Sequence, residues 1–135
     1  MKSPEEIVQL MLENDAFSQF LGIKLVEIGL GNCTVQMTIR EEMLNGFHIA
    51  HGGISYSLAD SAFAFAANTH GFQCVSIESS ISHVRKVTMG DCLIAVAKEK
   101  FRGKKTGIYE VVVQNERKEL LALFKGHVHV SEMAW

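Results

Sequence analysis

Apolar residues at the start of the chain recur with the spacing of a helix. The segment Ser3-Pro4-Glu5-Glu6 has the form of a capping box with proline at the first helical position. Ile7, Leu10 and Met11 then follow at helical spacing. We therefore expect a short amphipathic helix at the N-terminus.

Beyond Gly22 the pattern changes to the alternation of a strand. Cys33, Val35 and Met37 alternate with polar residues, and the Gly-containing turn 29–32 precedes them, which predicts a hairpin with one buried face. Four later segments have strand composition and are joined by turns that contain glycine or charged residues. These segments are 75–85, 93–101, 108–115 and 120–130. The expected sheet is antiparallel.

The segment from Gly53 to His70 has helical character and almost no charge, and Gly71 can end it. Because it lacks the polar face of a surface helix, we expect the sheet to wrap around it, with Phe63 in the core. Its single charged residue is Asp60. A carboxylate among apolar neighbours is costly to bury, so Asp60 is either a structural hydrogen-bonding residue or a catalytic one.

Composition narrows the class of protein. The 135 residues fit one domain spanning 1–135, and a net charge of −2 provides no general field for nucleic acid. The three cysteines lack a CxxC spacing, which predicts buried thiols in a reducing compartment rather than a disulfide framework or zinc site. With no signal peptide and no apolar run of about 18 residues, we expect a cytoplasmic protein that does not associate with membranes.

Glycines cluster where the central helix begins. Asn45-Gly46 and His51-Gly52-Gly53 lead into it, so a ligand can approach the backbone closely. The first N–H groups of a helix have no partner within it and carry partial positive charge. This arrangement suits the developing oxyanion of an acyl carbonyl.

Several ordered motifs resemble those of PaaI-type hotdog-fold acyl-CoA thioesterases. They are Met43-Leu44-Asn45-Gly46, His51-Gly52-Gly53, Ser57-Leu58-Ala59-Asp60, Ala62-Phe63-Ala64 with Asn68, Gly103 to Tyr109, and Phe124-Lys125-Gly126. The resemblance covers most of the chain. It implies an α+β hotdog fold, an antiparallel sheet around one long helix. It also implies homodimers that often pair into homotetramers, and hydrolysis of aryl- or arylacetyl-CoA thioesters such as those of phenylacetate catabolism.

The resemblance also assigns roles to individual residues. Asp60 would be the nucleophile or general base, and the Gly52 amide would polarise the thioester carbonyl. Asn45 and His51 would hold the loop and the acyl group, while Ser76 would help to place the attacking water. Neither a metal nor another cofactor is expected.

Further residues are candidates for binding the substrate. They are Gly53, Arg85, Gly103, Lys104, Lys105 and Thr106. A short basic cluster beside accessible amides, which also includes Lys98, Lys100 and Arg102, can bind phosphate groups, and the alternative is an ordinary solvated turn. His127 and His129 alternate on one strand, but no third ligand makes a metal site of them.

Helix geometry gives an independent expectation about assembly. Asp60 lies eight residues after Gly52, which is about 12 Å along one helix. One thioester carbonyl cannot reach both, so we expect Gly52 of one subunit to face Asp60 of another across a two-fold axis. Two other functions remain open at this point: a hotdog hydratase or dehydratase, and a non-catalytic acyl-CoA binding module.

Overall fold

The computed structural model describes residues 1–135 and contains three α-helices and six β-strands. In chain order they are α1 (Pro4–Asn14), α2 (Ala16–Leu21), β1 (Lys24–Gly29), β2 (Asn32–Thr38), α3 (Gly52–Asn68), β3 (Phe72–His83), β4 (Cys92–Arg102), β5 (Thr106–Asn115) and β6 (Leu120–Ala134). A single 3₁₀ turn, Glu41–Met43, lies between β2 and α3.

The six strands form one antiparallel sheet in the order β1-β2-β4-β5-β6-β3. Five of them, β2 to β6, contact α3, and α1 packs against the same helix from another side. The sheet therefore curves around one long helix, which confirms the predicted hotdog arrangement. Strand β3 occupies one edge of the sheet, although it follows α3 directly in the chain.

The core lies between α3 and the concave face of the sheet. Cys33, Val35 and Met37 are buried there, as the alternation along β2 predicts. The ring of Phe63 on α3 lies 5.8 Å from that of Tyr109 and 5.6 Å from that of Phe124, between centroids. These aromatic contacts fix how closely the helix approaches β5 and β6.

The N-terminal helix forms as predicted. The hydroxyl of Ser3 accepts a hydrogen bond from the Glu6 amide at 3.2 Å, and the Ser3 amide donates to the Glu6 carboxylate at 2.7 Å. The second short helix, α2, was not predicted. Its N-cap is Asp15, whose carboxylate accepts a hydrogen bond from the Ser18 amide at 2.9 Å.

The central helix differs from its prediction in one respect. It begins at Gly52 and ends at Asn68, within two residues of the expected bounds, but the sheet does not enclose it on all sides. Ser57, Asp60, Ser61 and Ala64 share a face that is only half-buried. This face points away from the sheet and is covered in part by α1 and α2.

The structure also corrects the predicted strand bounds and the predicted burial of the cysteines. Strand β3 begins at Phe72 and ends at His83, which leaves Arg85 outside it, and β6 continues to Ala134. Cys33 is buried, but Cys74 and Cys92 are only half-buried, so the expectation of buried thiols is wrong for two of three.

No helix here has the length and apolar character needed to span a membrane.

The approach of α3 to β6 makes Gly126 a sensitive position. A methyl group on Gly126 would lie 2.5 Å from the ring of Phe63, whereas one on Gly29 would meet nothing within 4 Å. We expect Gly126→Ala to lower the free energy of unfolding by about 1–3 kcal/mol because the ring must shift in a packed core. Urea unfolding of Gly126→Ala beside Gly29→Ala checks this, and equal stabilities would contradict it.

Candidate active site

The start of α3 presents an N–H group that can bind an anion. His51 is the N-cap residue, and its Nδ1 accepts a hydrogen bond from the Gly53 amide at 2.9 Å. The Ile54 amide donates to the His51 carbonyl at 2.9 Å. The N–H of Gly52 precedes both and has no partner within the helix. Gly52 is exposed, so this N–H stands at the positive end of a 17-residue helix and is accessible to a ligand.

The loop before the helix is held in shape by Asn45. Its Oδ1 accepts hydrogen bonds from the amides of Phe47 at 2.9 Å and Ile49 at 3.4 Å. The backbone N–H of Asn45 donates to the Ile49 carbonyl at 2.8 Å. The amide of His51 donates to the Met43 carbonyl at 2.9 Å, which closes the loop onto the 3₁₀ turn. The Asn45 side chain thus fixes the backbone that leads to Gly52.

A cleft of about 400 Å³ opens beside Gly52. Asn45, Gly52 and Ser55 line one side of it, and His83 and Arg85, at and just beyond the end of β3, line the other. The Arg85 guanidinium lies 3.3 Å from the Glu119 carboxylate. The sequence did not single out His83, because a lone strand histidine has no motif. Only the fold brings it to Gly52.

Asp60 lies two helical turns further along α3, in a different and smaller cleft of about 160 Å³. Met11, Phe17 and Phe65 supply apolar walls, and Asp15 faces the same space. Burial raises the pKa of the Asp60 carboxyl above its usual range, and the negative charge of Asp15 raises this pKa further.

A chain of hydroxyl groups holds Asp15 beside Asp60. The Ser18 hydroxyl donates to the Asp15 carboxylate at 2.6 Å, and the hydroxyls of Ser18 and Ser61 lie 2.8 Å apart. The junction of α1 and α2 is thereby tied to α3 one residue beyond Asp60. No sequence motif marks this pair of carboxylates, although the N-cap pattern of Asp15 and Ser18 indicates a helix start there.

The two catalytic candidates do not meet within one chain. The residues around Gly52 and those around Asp60 line separate clefts with no member in common. Ser76 is exposed on β3, where it pairs with Val128, and lines neither cleft. Each chain therefore carries two incomplete halves of the expected site.

Three of the predicted CoA-binding residues line a third cleft, about 840 Å³ in volume. Gly103, Lys104 and Lys105 lie there, near the C-terminal end of α3. Thr106 lies beside it and closes the turn, because its carbonyl accepts a hydrogen bond from the Gly103 amide at 2.8 Å. Gly53 is exposed in the first turn of α3 and does not line this cleft.

Other members of the basic cluster are engaged by the protein itself. Arg102 donates to the carbonyl of Ala67 at 2.8 Å and to the Tyr109 hydroxyl at 3.2 Å, and Lys100 lies 3.6 Å from the Glu110 carboxylate. Arg102 therefore joins α3 to the sheet. No three His, Cys, Asp or Glu side chains converge as the ligands of a metal ion would.

Comparison with known proteins agrees with the fold and the motifs. The Thioesterase superfamily matches residues 47–122. The acyl-coenzyme A thioesterase PaaI of Escherichia coli K12 is 40% identical over 119 residues, 88% of this chain and 85% of that one. The solved structure of the E. coli PaaI protein from the phenylacetic acid degradation operon superposes with a TM-score of 0.95 at 37% identity. It covers 97% of this chain and 95% of that chain.

A Streptococcus mutans UA159 protein, solved with acetyl CoA bound, superposes with a TM-score of 0.81 at 25% identity and covers 84% of this chain and 91% of that one. The matched superfamily region includes both the glycine-rich start of α3 and Asp60. With these similarities beside the two half-sites, the chain belongs to the Thioesterase superfamily and is a thioester hydrolase.

Proposed function

We propose that this protein hydrolyses aryl- or arylacetyl-CoA thioesters to the free acid and CoA, in active sites shared between two subunits. In each site the Gly52 amide of one subunit binds the carbonyl oxygen, and Asp60 of the other acts as nucleophile or general base. The observation that carries this proposal is the separation of Gly52 and Asp60 into different clefts of one chain. Both lie on a single rigid helix, about 12 Å apart along its axis.

An antiparallel pairing of two α3 helices joins the half-sites. A two-fold axis between the helices, level with the middle of this eight-residue interval, sets each Gly52 opposite the partner's Asp60. The half-buried face of α3 that carries Asp60 points away from its own sheet, and α1 and α2 cover it only in part, so its uncovered part can meet this second helix. The site is then complete twice in each dimer.

Strand β3 supports the same dimer. It is an edge strand of 12 residues with unpaired backbone groups on one side, and natural proteins cover or interrupt such edges. Val75 and Ile77 on this strand are 63% and 56% exposed. Pairing through β3 covers these apolar side chains and brings Ser76 to the interface. We expect the homodimers to associate further into homotetramers.

The chemistry follows from the two half-sites. The Gly52 N–H stabilises negative charge on the carbonyl oxygen as an oxygen nucleophile adds to the carbonyl carbon. When the charge returns from that oxygen, the carbon–sulfur bond breaks and CoA leaves as a thiolate, so a strong general acid is not needed. Asp60 supplies the nucleophile in one of two ways. Either its carboxylate attacks directly and forms a mixed anhydride, which water then hydrolyses to the free acid and regenerated Asp60, or it removes a proton from the water that attacks. Asn45 and His51 keep the Gly52 amide in position.

The volume and the apolar walls of the cleft beside Asp60 favour a substrate with an aromatic acyl group. Its volume of about 160 Å³ is close to that of an apolar cavity, about 150 Å³, that binds benzene. Met11, Phe17 and Phe65 provide apolar walls for one ring. The origin of the similar E. coli PaaI protein in a phenylacetic acid degradation operon also supports arylacetyl substrates in phenylacetate catabolism.

The cleft around Lys104 and Lys105 supports binding of the CoA phosphates. It begins just beyond the C-terminal end of α3, and Asn68 lies about 12 Å past Asp60 along the helix axis. The extended pantetheine arm of CoA can span this distance from the thioester. The two ammonium groups offer charge and hydrogen bonds to phosphate. Arg85 and Gly53 lie instead near Gly52, at the other end of α3.

The function is tested by release of free CoA from phenylacetyl-CoA, benzoyl-CoA and straight-chain acyl-CoA esters. We expect wild type to hydrolyse the aromatic esters fastest, and Asp60→Asn to lower kcat by several orders of magnitude because the nucleophile or base is lost. Glu13→Gln, a neutralised carboxylate on the exposed side of α1, is the control. Turnover confined to straight chains would contradict the aromatic substrate. An inactive wild type that still binds CoA esters would favour a binding module.

The shared site is tested with two variants that disable different halves. Gly52→Pro removes the N–H but suits the first position of a helix, and His51 already has a backbone conformation that a following proline accepts (φ −60°, ψ 137°). We expect each homodimer of Asp60→Asn and Gly52→Pro to be inactive, and the purified heterodimer to have about half of the wild-type activity. A heterodimer without activity would place both residues of a site in one chain.

Asp15 should shift the pH below which kcat falls on the acid side of the pH–rate profile. Its negative charge raises the pKa of Asp60, and the reaction needs Asp60 ionised. Asp15→Asn lowers this pKa, so the pH below which kcat falls should move to lower pH, while asparagine still caps α2. The same profile of Glu13→Gln should not move. An unchanged acid limb in Asp15→Asn would show that the two carboxylates are not coupled.

A further inference from the structure

His83 is a histidine at the end of β3 whose side chain faces the start of α3. It lines the same cleft as Gly52 and Asn45. The other histidines near the ends of α3 are already engaged by the protein: His51 Nδ1 accepts from the Gly53 amide, and His70 Nε2 lies 2.6 Å from the Glu99 carboxylate. The imidazole of His83 has no hydrogen-bond partner in the chain and is exposed to the cleft.

The ring edge of His83 that carries Nε2 faces Gly52. From the position that a Cβ atom on Gly52 would occupy, His83 Nε2 is 3.2 Å away, Cε1 3.7 Å and Cδ2 3.9 Å. Nε2 is therefore the ring atom nearest to Gly52. In the tautomer protonated at Nε2, the imidazole presents a donor in the same cleft as the backbone amide.

The two donors are close enough to share one acceptor. A Cβ position lies about 2.5 Å from the backbone nitrogen of its own residue, so Gly52 N and His83 Nε2 are at most about 5.7 Å apart. Two N–H donors that each lie about 2.9 Å from one oxygen can be separated by up to about 5.8 Å. An oxygen bound to the Gly52 amide can therefore also accept from His83.

We propose that His83 is a catalytic residue that donates a second hydrogen bond, from Nε2–H, to the carbonyl oxygen held by the Gly52 amide. This inference rests on the proposed function of that site. No proton is transferred: the hydrogen bond strengthens as negative charge builds on the oxygen, and it weakens again when the carbon–sulfur bond breaks. Arg85 in the same cleft is paired with Glu119, whereas the imidazole of His83 has no partner in the chain.

The test compares His83→Phe, which keeps a planar ring without a donor, with His83→Gln, whose amide can replace the donor. We expect His83→Phe to lower kcat for phenylacetyl-CoA by about 10²-fold, the effect of losing one oxyanion donor. KM should change by less than about threefold, because the bond strengthens only in the transition state. His83→Gln should recover most of kcat. His127→Phe, a strand histidine outside the three clefts described, is the matched control.

A second measurement separates this role from protonation of the leaving sulfur. If His83 acts on the carbonyl oxygen, the loss in His83→Phe is the same for a CoA thioester and for an ester of a more acidic aryl thiol. A smaller loss with the aryl thiol would mean that His83 assists the leaving group, and would overturn the proposal.

Other outcomes distinguish this inference from the function on which it rests. A wild type that hydrolyses acyl-CoA and loses activity in Asp60→Asn, but is unaffected by His83→Phe, would overturn the role of His83 alone. A rise in KM without a fall in kcat would also overturn it, since that indicates binding without transition-state stabilisation. An inactive wild type would overturn both.

Discussion

The constraint on which the rest of the structure depends is the rigidity of α3. A helix that contacts five strands through its buried face cannot bend, so Gly52 and Asp60 remain about 12 Å apart along its axis in every chain. The Phe63 ring fixes the distance between this helix and the sheet, and Gly126 leaves the space that the ring needs. The positions of Gly52 and Asp60 relative to each other are thereby set before any substrate binds. In the proposed dimer a second helix completes the site.

The same rigidity explains why the chemistry can be simple. Thioester hydrolysis needs a donor for the carbonyl oxygen and a nucleophile on the opposite side, and it does not need a strong acid for the leaving thiolate. In the proposed site the N-terminus of α3 provides the first through the Gly52 amide, which is held by the Asn45 loop and by His51. The middle of the helix provides the second through Asp60 in the same proposal. Burial and Asp15 both raise the pKa of Asp60, so the site retains a more basic carboxylate at the cost of keeping two acidic groups close together.

Much of the fold and of the candidate site could be predicted from the sequence, because the motifs that indicate them lie on consecutive or nearby residues. The alternation in β2, the capping box of α1 and the extent of α3 all depend on local periodicity, and the structure confirms them within a few residues. The glycine-rich start of the helix and the lone Asp60 were visible for the same reason. The short helix α2 was missed because six residues contain too few turns for a periodic pattern, although Asp15 supplies its cap.

The sequence by itself thus determined the fold class, the family, and which residues of α3 are candidates for catalysis. Only the tertiary structure decided which distant residues join them. Asp15 reaches Asp60 through the packing of α1 and α2 on α3, and His83 reaches Gly52 because β3 lies at the edge of the sheet and ends beside the start of the helix. The physical reason is that helical and strand periods act over a few residues, whereas contacts between elements far apart in the chain depend on how the whole sheet curves around α3.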